Sequence, residues 1–272
     1  MDIAKISKKK INAIIGDNFP KAEKGRKPKV ELWRIVKMIL YRLKTGCQWR
    51  NVPVKLYSGR VLISWQKVYY HFNKWAKMQL WQKVFTRLLA ENKQQLDLSN
   101  VQLDGSQTIA KRGGEAVGYQ GRKKAKTTNC LFFVDKNGQI LAMSDPIAGN
   151  QNDLYKIEKT TGKIFADLQA AGLSLDGLFL NADAGFDSAV FRSFCENKGI
   201  IPNFDFNKRN AQNAEYQPFK DDLLYKNRFV VERSNAWIDS FKALLIRFET
   251  RACTWAALHY LAFIFLFSKT LF

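Results

Sequence analysis

Three acidic residues stand where their type and spacing could do chemistry. Asp104 closes the apolar run Val101-Gln-Leu-Asp104, and Asp183 closes Leu178-Phe-Leu-Asn-Ala-Asp183. A glycine follows each within two residues, Gly105 and Gly185. Glu232 lies in Tyr225-Lys-Asn-Arg228-Phe-Val-Val-Glu232, with Arg228 four residues before it and Asp239 seven after. On a helical period Arg228, Glu232 and Asp239 share one face. A charge at the end of a buried strand is costly unless it is paired or metal-bound. Hard oxygen ligands of this kind select Mg²⁺ or Mn²⁺. Two such ions can activate a water or a 3′-hydroxyl and stabilise the leaving oxygen of a phosphodiester. Taken singly, each Asp also suits a turn or a helix cap.

Charge indicates the class of partner. The chain has 272 residues, 44 Lys and Arg against 24 Asp and Glu, and a formal charge of +20. Such an excess is the footprint expected of a protein that neutralises the phosphates of a nucleic acid. Segment 110–126 holds Lys111, Arg112, Arg122, Lys123, Lys124 and Lys126 against Glu115, with Gly113, Gly114, Gly118 and Gly121 between them. It reads as a flexible cationic hairpin that grips the DNA backbone, which adds affinity rather than sequence choice. Residues 1 to 30 are also basic, with Lys5, Lys8, Lys9, Lys10, Lys21, Lys24, Arg26, Lys27 and Lys29. They suit a solvated arm and a phosphate contact equally.

Other acids compete for the site. Asp187 suits the start of the helix after Asp183, and Asp153 suits a helix cap. Asp239 suits an ion pair with Lys242. The four cysteines lack a paired spacing and there are two histidines, so a zinc site is not supported. Free thiols point to a reducing cytoplasm. No apolar signal core opens the chain, and the apolar run Trp255–Phe267 is short for a bilayer, so a buried closing helix and no membrane partner are expected.

The elements that must position these residues follow from periodicity. Leu32, Ile35, Val36, Ile39, Leu40 and Leu43 give a helix that stops at Gly46. Trp65, Val68, Tyr69, Phe72, Trp75 and Ala76 stripe a second helix, and residues 80–89 form a third, a helix-turn-helix-like group. A polar linker over 92–100 then divides a helical module, 1–98, from an α/β domain, 99–272. Beyond it come a strand ending at Asp104, a strand over 128–134 and a turn at Asp135-Lys-Asn137-Gly138. Next are a returning strand over 139–144, a helix over 152–171 and the strand ending at Asp183. A helix over 188–198, a short strand over 200–203, a loop over 208–222 and the Glu232 helix complete a mixed-sheet α/β order.

Several of these runs together resemble the DDE transposases of bacterial insertion sequences. They are Leu103-Asp104-Gly105-Ser106, Asn181-Ala-Asp183-Ala-Gly185-Phe186-Asp187-Ser188 and Tyr225-x2-Arg228-x3-Glu232. Gly118-Tyr119-Gln-Gly121-Arg122-Lys123-Lys124 and Gly149-Asn150-x2-Asp153 look like the family's intervening segments, and Leu40-x2-Leu43-x2-Gly46-x2-Trp49-x2-Val52-Pro53 like its N-terminal module. The similarity is to the IS-five-like branch of the IS-four superfamily and covers nearly the whole chain. It implies an RNase H-like catalytic domain behind a DNA-binding helical module. It implies cleavage at the element's terminal inverted repeats and joining of the 3′-hydroxyls to target DNA with two Mg²⁺ or Mn²⁺ ions. Asp104, Asp183 and Glu232 take the places of the family's catalytic and metal-holding acids. Tyr225 and Arg228 take those of its DNA contacts. The family often has Lys seven residues after the Glu; here Asp239 stands there, with Lys242 a turn later as a substitute. A homodimer on DNA, working in the bacterial cytoplasm at the nucleoid, is the expected assembly. The alternatives are a metal-dependent nuclease without strand transfer and a domesticated DNA-binding protein.

Overall fold

The computed structural model describes residues 6–19, 30–59, 63–207 and 219–271. Lys5, Lys21, Lys24, Arg26, Lys27, Lys29 and most of the expected loop over 208–222 lie outside them. The helices and strands in chain order are α1 Lys8–Ile15, α2 Leu32–Thr45, α3 Val54–Ser58, α4 Trp65–Lys77, α5 Leu80–Glu91, β1 Val101–Ala110, β2 Gly118–Gln120, β3 Ala125–Asp135, β4 Ile140–Met143 and β5 Ile147–Ala148. They continue with α6 Ile157–Ala170, β6 Phe179–Ala182, α7 Ala189–Glu196, β7 Ile201–Phe204, α8 Asp222–Tyr225, α9 Val230–Asp239, α10 Lys242–Leu245, β8 Ile246–Arg247 and α11 Ala252–Leu271.

Two compact units form. One comprises Met1–Leu88, Ala110–Glu115 and Ile238–Phe272; the other comprises Leu89–Ile109 and Ala116–Trp237. The closing segment groups with the first helices. Helix α11 is apolar on every side and so must be covered all round. Within the helical unit it packs on α2 and α4. Phe85 meets Phe263 at 5.6 Å between ring centroids, and Phe19 meets Trp75 edge-on at 4.8 Å. Aromatic pairs in these geometries add to the burial of their area. Gly46 ends α2 in the left-handed conformation with φ 68°, as the stop signal requires. Among the described residues no helix is long and apolar enough to cross a membrane.

The second unit is built on a mixed sheet. Its strand order is β2-β3-β1-β6-β7, with β4 and β5 also paired to β3. Strands β1 and β3 are antiparallel, whereas β1, β6 and β7 run parallel. An antiparallel half is thus joined to a parallel half. The core comes from runs such as Leu131, Phe132, Phe133 and Val134 on β3 and Leu180 and Ala182 on β6, all almost fully buried.

Local features depart from the spacing-based expectations. Strand β1 continues to Ala110, so Asp104 sits in mid-strand. Its partner β3 starts at Ala125 and pairs with it through Ile109, which holds the polar second half of β1 extended. The turn after β3 places only Gly138 at positive φ, 82°. There the buried Asp135 carboxylate accepts the backbone N–H groups of Asn137 and Gln139 at 2.9 and 2.7 Å. Helix α6 begins at Ile157 rather than at 152, because Lys156 takes a left-handed φ of 47° that a continuing helix excludes.

Candidate active site

Strand register brings the first two acids together. Strands β1 and β6 pair only at Val101 with Leu180 and Gln102 with Asn181. Asp104 and Asp183 each lie two residues beyond the last of these pairs. Parallel strands therefore carry both carboxylates to the level where the strands cease to pair. Asp183 caps the tight turn Ala184–Phe186 and accepts the Gly185 N–H at 2.8 Å. The turn role and the place at the strand end thus coexist in one side chain. Asp104 is half-buried, and burial pushes its carboxyl up to about 6. The Gly105 N–H and Arg228 draw it down, while the charges of Asp183 and Asp153 push it further up.

A buried polar ladder supports the Glu232 segment. The amides of Asn100, Gln102, Asn181 and Asn203 are all fully buried. Gln102 Nε2 donates to Asn100 Oδ1 at 2.7 Å, Asn181 Nδ2 to Gln102 Oε1 at 2.8 Å, and Asn203 Nδ2 to Asn181 Oδ1 at 2.7 Å. The last three side chains stand side by side on three parallel strands. Spare donors and acceptors reach α8: Asn181 Nδ2 donates to the Leu224 carbonyl at 2.9 Å, and the Asp221 N–H donates to Asn203 Oδ1 at 2.7 Å. Further along, Ser234 Oγ donates to the Gly138 carbonyl and Arg233 Nη2 to the Asn137 carbonyl, each at 2.6 Å. The segment is anchored at both ends to the sheet.

That segment is not one continuous α-helix. Residues Lys226–Phe229 form a tighter 3₁₀ turn, α9 runs from Val230 to Asp239, and the chain breaks before α10. Arg228 therefore precedes the α-helix, and the spacing to Glu232 is not that of one ideal helical face. The break falls where the buried Phe241 adopts an extended conformation. Glu232 is exposed in the first turn of α9, and its carboxylate makes no hydrogen bond or ion pair among the described residues. Arg228 is half-buried, has an unpartnered Nε among the described residues, and is close enough for Asp104 to feel its charge. Burial raises the Tyr225 hydroxyl, and Lys220 sits over its ring at 4.4 Å. Asp239 ends α9 and Lys242 opens α10, both exposed.

Two acids take places that spacing did not foresee. Asp187 does not start α7, whose N-cap is Ser188. Its buried carboxylate meets Arg192 Nε at 2.6 Å and accepts the Asn207 N–H at 2.9 Å, so it is committed to the core. Asp153 caps no helix. Strand β5 pairs with β3 at Thr128 and Asn129 and delivers the following turn beside them. Asp153 Oδ1 accepts Asn129 Nδ2 at 2.6 Å. Burial raises the Asp153 carboxyl; Asn129 and Arg122 oppose the rise and Asp183 reinforces it. The signal in the sequence was the Gly149-Asn150-x2-Asp153 run, whose acid the spacing assigned to a helix cap.

The basic segment is exposed but divided. Lys111 and Arg112 belong to the helical unit, where Arg112 lines a cavity of about 600 Å³ with Arg42, Arg50, Trp49 and Tyr69. Arg122, Lys123, Lys124 and Lys126 belong to the sheet unit. Strand β2 pairs with β3, and Lys123 Nζ donates to the Gln107 carbonyl at 2.8 Å, so this stretch is more ordered than its glycines imply.

The donor set suits a hard divalent cation. Asp104, Asp153 and Asp183 form no ion pair among the described residues. No three His, Cys, Asp or Glu side chains among those residues stand close enough to share one ion. Mg²⁺ is commonly held by one or two carboxylates with water and substrate phosphates completing its shell, and Asp104 and Asp183 fit that mode.

Comparison with known families agrees with this geometry. Residues 96–267 match the family described as DDE superfamily endonuclease, and residues 9–85 match one described as a transposase of the IS4/5 family. The first match spans more than half of the chain, which therefore belongs to the DDE superfamily of endonucleases. More narrowly, the two matches together make it a DDE transposase of IS4/5 type, and that family depends on a divalent metal. The Mos1 transposase paired-end complex with left transposon end is similar at 12% identity and a TM-score of 0.29, over 89% of this chain and 79% of that one. The catalytic domain of Mos1 mariner transposase is similar at 9% and 0.30, over 68% and 88%. At these scores the likeness carries no argument, and the assignment rests on the families. No curated protein matches the chain.

Proposed function

We propose that this transposase cuts the ends of its element and joins their 3′-hydroxyls to target DNA at a centre formed by Asp104, Asp183 and Glu232. The observation that carries this reading is the register of β1 on β6. It sets Asp104 and Asp183 two residues past one shared pair and leaves both carboxylates without an ion-pair partner among the described residues. The anchored segment over α8 and α9 supplies Glu232, free to swing from its exposed first-turn position. Two Mg²⁺ or Mn²⁺ ions bound there would activate the attacking oxygen and stabilise the leaving one.

Within that centre burial raises the Asp104 carboxyl to about 6, and a bound cation would favour its ionised form. Arg228 and Tyr225 lie beside the acids and suit a scissile phosphate; Lys242 is assigned to a DNA phosphate. Lys111, Arg112, Arg122, Lys123, Lys124 and Lys126 are assigned to the DNA backbone, and the helical module 1–98 to the terminal repeats. Residues 99–272 act as the catalytic portion, a homodimer holds two ends, and the place of work is the bacterial cytoplasm at the nucleoid.

The test uses duplexes carrying the ends of the element that encodes the protein. Asp104→Asn, Asp183→Asn and Glu232→Gln should each abolish cleavage while DNA binding persists. Full cleavage by any one removes that residue from the centre. A pre-cleaved 3′-hydroxyl end supplied with target DNA should yield joined product. Hydrolysis alone would make the enzyme a nuclease without strand transfer.

A further inference from the structure

The helical unit holds a cavity of about 600 Å³, and every residue that lines it belongs to that unit. Its size falls within the roughly 300–1,000 Å³ of pockets that take small organic ligands. The lining is cationic and aromatic at once. Arg42 is almost fully buried, and burial pulls its guanidinium below the ordinary value. Glu249 opposes that fall, but its Oε1 lies 3.5 Å from Arg42 Nη2 and also accepts the Trp49 indole N–H at 3.4 Å. A tight charge-assisted hydrogen bond would measure roughly 2.7–2.9 Å. Arg42 Nε and Nη1 have no partner among the described residues. Arg50 and Arg112 line the same cavity, are exposed and form no ion pair among the described residues. Three guanidiniums thus stand against the single carboxylate of Glu249. The aromatic side chains divide in two. Trp49 is committed, packed on Tyr69 and Phe72 with Arg42 over its ring. Trp65 and Phe248 have no ring partner among the described residues, and Phe248 is 47% exposed.

An under-compensated buried cation favours an anion, and a bare ring face favours another π-system. A nucleotide carries both, a planar base and a phosphate. Bases stack on aromatic side chains whatever their sequence, and arginine pairs with phosphate through two parallel N–H groups. A paired base is sealed within its own stack, so the occupant must be unpaired. We propose that this cavity is a pocket for an unpaired nucleotide, with its base against Trp65 and Phe248, its phosphate at Arg50 and Arg112, and Arg42 supplying further buried positive charge. An acidic peptide would satisfy the arginines but leave both rings bare, which favours the nucleotide. The lining includes none of Asp104, Asp183 and Glu232, so the inference does not rest on that centre.

The test measures binding by the full-length protein in chelator, where cleavage plays no part. The probe is a fluorescein-labelled oligodeoxythymidylate, followed by fluorescence anisotropy beside an abasic strand of the same length and a duplex. The natural protein should bind the thymidylate on the order of tenfold more tightly than the abasic strand. Phe248→Ala alters an exposed ring and should remove that preference while duplex affinity stays unchanged. Arg50→Ala should weaken both single strands, because both keep their phosphates. Excess thymidine monophosphate separates the sources: displacement of the thymidylate identifies a free nucleotide as the occupant, and retention identifies a nucleotide within a strand. If the natural protein binds the two single strands alike, or if Phe248→Ala keeps the preference, the pocket is overturned. Equal losses on thymidylate and duplex would also overturn it, since they describe a general DNA surface. Binding of a labelled oligoglutamate with none of the thymidylate would overturn it in favour of an acidic peptide. Should Phe248→Ala fail to fold, Phe248→Leu, which keeps bulk without a π-face, carries the test.

Discussion

Removing the Asp104 charge should make the metal-free protein more stable while destroying its activity. The carboxyl titrates at about 6 in the folded chain against an ordinary value of 3.8, with burial the main cause. At ~1.4 kcal/mol per pH unit of that gap, ionising Asp104 in the empty fold costs about 3 kcal/mol. Asp104→Asn keeps the shape and removes the charge. The sign follows from linkage: a raised carboxyl favours the fold below its unfolded value, and that advantage is lost as pH rises through the folded value. At pH 8 the penalty is complete, and relieving it should raise the melting temperature by about 5–10 °C for a chain of this size. Near pH 4 Asp104 is protonated and the difference should vanish. The assay is a pair of thermal melts in chelator across that range. Added Mg²⁺ should stabilise the natural protein and close the gap at pH 8, since the cation replaces the missing countercharge. If Asp104→Asn melts at or below the natural protein at pH 8, or if the gap is as wide at pH 4, the reasoning from desolvation is refuted.

Two further outcomes follow from the same geometry. Asp187→Asn leaves Arg192 buried without its 2.6 Å partner and should cost about 3–5 kcal/mol in a urea unfolding curve, far more than a surface acid. Asp187→Asn with stability unchanged would show that the pair is not desolvated as drawn. Glu232→Gln touches an exposed side chain and should shift stability by no more than about 0.5 kcal/mol while cleavage is lost. A large loss of stability would mean that Glu232 is structural, and its effect on cleavage would then say nothing about chemistry.

Much of the fold was legible from local chemistry. Helices α2 and α4 carry their buried stripe at helical spacing, and Gly46 ends α2 by the conformation only glycine takes freely. Strands β4, β6 and β7 match their apolar runs to within a residue or so, because side-chain burial on a sheet is itself periodic. Ranges failed where a partner in space overrode local preference. Pairing with β3 carried β1 six residues past Asp104, and one left-handed residue, Lys156, moved the start of α6.

The candidate site divides in the same way. By itself the sequence determined which residues could do the chemistry, since an acid at the end of an apolar run is costly wherever the chain goes. It also determined the polyanionic partner, through a charge of +20. Only the tertiary structure decided which acids meet. The parallel register of β1 on β6 levels Asp104 with Asp183, and the packing of Arg192 withdraws Asp187. The pairing of β5 with β3 sets Asp153 against Asn129. Those are contacts between residues tens of positions apart. Spacing along the chain fixes a side chain's face on its own element, whereas register and crossing between elements fix its neighbours.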